Sequence, residues 1–109
     1  MTRQLRENEK ALLVALIKGK PQEEKLLGSL NNLVVEEMND GGMGSLRFYK
    51  PDAEKHKRLG GLLAEKEFVD IDGTPVMAAV NLDDHGELFE LDIWKVDFSP
   101  VKQFPDINS

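Results

Sequence analysis

Apolar and polar residues alternate over Glu87–Phe98 more regularly than anywhere else in the chain. Side chains of a strand point alternately to its two faces, so this pattern predicts a long β-strand. Phe89, Leu91 and Ile93 fall on one face; Leu88, Glu90 and Asp92 fall on the other. Beyond Ile93 the phase changes, and Trp94, Val96 and Phe98 carry the apolar signal. One extra residue between Ile93 and Lys95 restores a single buried face, which predicts a β-bulge there. The rival reading is burial of both faces in the C-terminal half. Pro100 has no N–H for a ladder and ends the element. We place this strand near the middle of an antiparallel sheet.

The period changes to a helical one near the N-terminus. Leu12, Leu13, Leu16 and Ile17 form one stripe within a helix spanning Arg6 to Gly19. Glu7 and Glu9 suit its first turn, Lys18 its last, and Gly19 its C-cap. Pro21 followed by Gln22, Glu23 and Glu24 opens a second helix, with Leu26, Leu27 and Leu30 as its stripe and an end near Asn31 and Asn32. Gly28 weakens it by about 1 kcal/mol relative to Ala.

Leu33–Met38 and Ser45–Tyr49 read as a hairpin joined by the glycine-rich loop Asn39–Gly44, with Glu36 opposite Arg47. Asp52 is a candidate N-cap for a short charged helix over Ala53–Leu59, ended by Gly60 and Gly61. Leu62–Ile71, a strand from Val76 to Leu82, and the strand after Asp83–Gly86 form a meander; Asp72-Gly73 marks its first turn. Residues 101–109 trail as coil, with Val101 and Phe104 packed on the core. Helices come first and strands after, so the fold class is α+β, with helices on one face of an antiparallel sheet of about five strands. Glu65, Glu67, Glu90 and Asp92 belong to the other face.

At 109 residues the chain is the size of one domain, residues 1–109. It has no cysteine, which excludes disulfides and thiolate metal sites and fits a reducing cytoplasm. The apolar run Ala11–Ile17 is too short and too closely flanked by charge for a signal peptide, and no run reaches the length of a membrane span. The net charge of −6 is uneven: +2 over residues 1–66 and −8 over residues 67–109. An acidic C-terminal half is a poor surface for nucleic acid. It suits a basic protein or a cation better, unless the charge only solvates the sheet.

Candidate chemistry is sparse. Gly41, Gly42 and Gly44 free backbone N–H groups that can form an anion nest or let a partner approach closely. No Lys-Ser/Thr follows, so the loop is not a P-loop. Asp70-Ile71-Asp72-Gly73 looks like the start of a calcium loop, but Asn81 stands where the twelfth, acidic ligand belongs, and a hairpin turn is the simpler reading. Asp83, Asp84, His85 and Glu87 match no metal-ligand spacing and read as a polar turn. His56 and His85, the only histidines, stand in no nucleophile constellation. Paired carboxylates such as Glu90 and Asp92 do acid–base work only where burial splits their pKa values, and an open sheet face does not desolvate them. Trp94 reads as a core residue.

Asp40-Gly41-Gly42-Met43-Gly44-Ser45-Leu46, together with Glu87 through Pro100, resembles a small bacterial family of uncharacterised single-domain proteins. That resemblance implies no activity and no site residue. In size, charge and class the chain also looks like the immunity proteins of bacterial toxin systems, by analogy alone. The expectation is a non-enzymatic, cytoplasmic protein without a cofactor. It docks a basic protein through the acidic face (Glu65, Glu67, Glu90, Asp92) and the loop glycines Gly41, Gly42 and Gly44. The alternatives are a small-molecule- or metal-binding enzyme with a pocket near Trp94 and His85, and a homodimer formed through strand edges.

Overall fold

The computed structural model describes residues 2–39, 41–51 and 58–105. Two helices, α1 (Glu7–Ile17) and α2 (Glu23–Ser29), precede most of the strands, and a 3₁₀ turn over Leu30–Asn32 follows α2. The strands are β1 (Thr2–Arg3), β2 (Val34–Glu37), β3 (Leu46–Tyr49), β4 (Leu59–Val69), β5 (Pro75–Asp83) and β6 (Leu88–Lys95). They form one antiparallel sheet in the order β1-β2-β3-β6-β5-β4. The α+β expectation holds, with six strands among the described residues instead of about five. The additional strand, β1, is two residues long, too short for any periodicity to reveal. It is fixed by Arg3, whose guanidinium donates to both carboxylate oxygens of buried Glu9 at 2.8 and 2.7 Å and to Glu37 at 3.3 Å. Burial works against ionising Glu9, yet Arg3 and the backbone N–H of Arg6 hold its pKa below the usual range. One buried carboxylate thus joins the N-terminal strand to the first turn of α1.

The helical stripes are buried as their spacing requires. Leu12, Leu13, Leu16, Ile17, Leu26 and Leu30 pack against Val35, Leu46, Phe48, Val76, Ala78, Val80, Leu82, Leu88, Leu91 and Ile93 on one face of the sheet. The expected strand lies inside the sheet, with β3 on one side and β5 on the other. Its bulge, however, is not at Ile93–Lys95. Pairing is regular from Val76↔Lys95 to Asn81↔Glu90 and then jumps to Leu82↔Leu88, which leaves Phe89 as the extra residue. Leu88 therefore enters the core, and Phe89 turns to the outer face beneath Arg47, whose guanidinium carbon is 4.5 Å from the ring centroid. Trp94 shares the outer face and is half-buried, not a core residue. The strand stops at Lys95; Val96 and Phe98 are exposed beyond it.

Residues 53–57 of the expected short helix, with its cap Asp52 and with His56, lie outside the described residues. Its expected end does not form a cap: Leu59, Gly60 and Gly61 open β4 instead. A Cβ on Gly60 would stand 2.2 Å from the carbonyl oxygen of Asp83, so only glycine permits the backbones to approach this closely. Val101 and Phe104 pack against the core, as their apolarity suggested.

Candidate functional site

The helices cover one face of the sheet, and pairing register fixes what the other presents. Met77 lies between Glu67 and Trp94; Ala79 lies between Glu65 and Asp92. The next row runs Glu36, Arg47, Glu90, Asn81. At the opposite end Val69 pairs with Pro75, whose carbonyl accepts from Val96 N–H at 3.1 Å. Both valines are well exposed. The outer face of β4, β5 and β6 thus has an apolar middle, Met77 and Trp94, flanked by carboxylates.

The four acidic residues expected on this face all lie on it, but in different electrostatic states. Glu90 accepts from Arg47 at 3.2 Å and from Asn81 at 3.0 Å, and its side chain is only 14% exposed. Asp92 lies 3.5 Å from the Ser45 hydroxyl. Glu65 and Glu67 are exposed and, among the described residues, form no ion pair.

The glycine loop serves the chain's own tail. Gly41, Gly42 and Gly44 all have positive φ. Gly42 accepts from Val101 N–H at 3.2 Å, and a Cβ there would meet Pro100 at 3.2 Å. A Cβ on Gly44 would meet Phe104 at 3.6 Å. Between them, buried Met43 accepts from Lys95 N–H at 3.3 Å through its sulfur. The buried Ser45 hydroxyl accepts from Ile93 N–H at 2.8 Å and donates to Ile93 C=O at 3.0 Å. Close backbone approach, anticipated for an outside partner, is realised here within the molecule.

The apparent calcium-loop fragment also has an internal cation. Lys95 is fully buried, and its ammonium lies 2.9 Å from Asp70 and 2.5 Å from Asp72. Asp70 accepts further N–H groups from Ile71, Lys102 and Gln103 at 2.7, 2.8 and 3.1 Å. Burial disfavours the charged form of Asp70, but these donors, Lys102 foremost, keep its pKa below normal. The Lys95 hydrogen bond holds Asp72 well below the carboxylate range, and Asp72 in turn raises Lys95. A signal for this triad was present: Lys95 follows Leu91 and Ile93 in phase, which puts it on the core side.

At the other end of β6, Asp83 accepts from the N–H groups of His85 and Glu87 at 2.8 and 2.9 Å and so shapes a turn. The His85 side chain is 83% exposed. Six residues of strand separate Leu88 from Trp94, roughly 20 Å, so His85 and Trp94 do not line one pocket. An open cleft of about 710 Å³ does border this turn, between Lys20–Gln22 and Leu59–Leu63, with Asp83 and Asp84 on its wall.

A family model, described as a domain of unknown function (DUF6984), matches residues 2–105 of the chain. No curated protein and no solved structure matches it. No helix among the described residues is long and apolar enough to cross a membrane.

Proposed function

We propose that this chain, which belongs to the DUF6984 family of unknown function, is a non-enzymatic binding protein that docks a basic protein on the outer face of β4, β5 and β6. The observation that carries the reading is the pair Met77–Trp94, on a sheet face that neither helix covers, beside the unpaired carboxylates of Glu65 and Glu67. Aromatic and methionine side chains surrounded by polar residues are what the centres of protein interfaces contain. The two carboxylates add long-range attraction for a positively charged partner. An adaptor or an inhibitor of the immunity type acts through such a surface.

A photo-crosslinking amino acid at position 77 tests the assignment, with position 10 on α1 as control. In lysate of the source organism, position 77 is expected to label one protein through a Lys- or Arg-rich segment, less so in high salt. Equal labelling from both positions would remove this face from consideration.

A further inference from the structure

The outer face continues into a strand edge that pairs with no other described strand. Strand β4 is eleven residues long, none of them buried, and among the described residues it pairs only with β5. Its other edge offers a row of backbone N–H and C=O groups, the usual template for an added strand. A second copy of this chain does not match the charges on that edge. Antiparallel self-pairing centred on Glu65, Lys66 or Glu67 places that residue opposite its own like charge, and like charges directly opposite destabilise a sheet. Pairings shifted by one residue set outer-face side chains against core-face ones. The full-length register, centred on Ala64, instead sets Glu65, Lys66 and Glu67 opposite Leu63, Leu62 and Gly61, so a second copy offers none of the three a charge partner.

We infer that β4 is extended by an antiparallel strand of the basic partner, whose side chains opposite Glu67, Lys66 and Glu65 run basic, acidic, basic. Charge complementarity makes this choice, because the inverse order pairs all three charges, which no in-phase antiparallel register of a second copy does. Position supports it: Glu65 and Glu67 lie on the same face as Met77 and Trp94, so the strand's basic side chains join the docking face. Apolar residues flanking the charged three would face Ala64 and Phe68, which already pack against the core. The inference rests on the docking reading above and specifies its mode.

The test titrates the isotope-labelled full-length protein with a synthetic peptide whose centre is Lys-Glu-Lys flanked by Val and Thr. Amide shift changes and slowed exchange are expected over residues 62–69. The Glu65→Lys/Lys66→Glu/Glu67→Lys variant, checked for fold by circular dichroism, should lose about 10-fold or more in affinity and instead take the Glu-Lys-Glu peptide. Equal affinity of both proteins for both peptides overturns the inference, as does millimolar peptide leaving the β4 amides unchanged. Crosslinking from position 77 reports on the docking face separately: if it persists while β4 stays unprotected, strand addition falls and the face stands.

Discussion

Lys95 shows how one side chain can reverse a local reading. Its ammonium is buried between two carboxylates, in phase with Leu91 and Ile93. A charge buried this way persists only while its partners remain ionised. Asp70 and Asp72 have lowered folded-state pKa values, so their contribution is present above the unfolded value of about 3.9 and is lost as pH falls below it. Lys95 has a raised one, so its contribution is present below about 10.4 and is lost above. Stability should therefore hold between those limits and fall on both sides. Lys95→Met should lower Tm at pH 7 by on the order of 10 °C and flatten the acid-side loss, as read by thermal melts from pH 2 to 7. An unchanged acid slope would show that the pair does not govern it. Glu90 gives a second contrast at this scale. It is held by Arg47 and Asn81, so Glu90→Ala should cost about 1–3 kcal/mol in urea unfolding, whereas exposed Glu67→Ala should cost under about 0.5 kcal/mol. Sequence puts both carboxylates on one face; which one is neutralised depends on the β3–β6 pairing, and no local pattern reveals that.

Elements with strong local codes were legible. The leucine stripes gave both helices, and Asp72-Gly73 and Asp83–Gly86 gave both turns of the meander. Elements whose form depends on distant contacts were not. The phase break in β6 was visible, but locating it required knowing that Lys95 belongs inside; with Trp94, Val96 and Phe98 taken as the buried set, the bulge moved from Phe89 to Ile93–Lys95. Gly60 and Gly61 carry the same ambiguity, since a helix end and a close strand crossing both call for glycine. The crossing is testable. Gly60→Ala drives a methyl group into the Asp83 carbonyl and should destabilise by about 1–3 kcal/mol, whereas Gly61→Ala, with open space around it, should be much milder in the same chemical melts. Gly44→Val, at a φ of +98° beside Phe104, should loosen the tail from the glycine loop. Hydrogen exchange is expected to quicken at Val101 and Lys102 before it does in β5; uniform quickening would mean that the loop holds more than the tail.

Across the whole molecule, the −8 charge of residues 67–109 is less available than the sequence implies. Asp70 and Asp72 face Lys95, Glu90 faces Arg47, and Asp83 closes a turn. Glu67, and Glu65 just before this stretch, stand on the face of Met77 and Trp94 without an ion pair among the described residues. The docking proposal requires an apolar centre and the Glu65 and Glu67 carboxylates to bind a basic protein together. Calorimetric titration of the crosslinked partner, once identified, measures this most directly, with wild type, Trp94→Ala and Glu65→Lys/Glu67→Lys compared at low and high salt. Trp94→Ala is expected to weaken binding about 10-fold or more at either salt, and the charge reversal to weaken it mainly at low salt. Wild-type affinity in both variants would contradict the proposal.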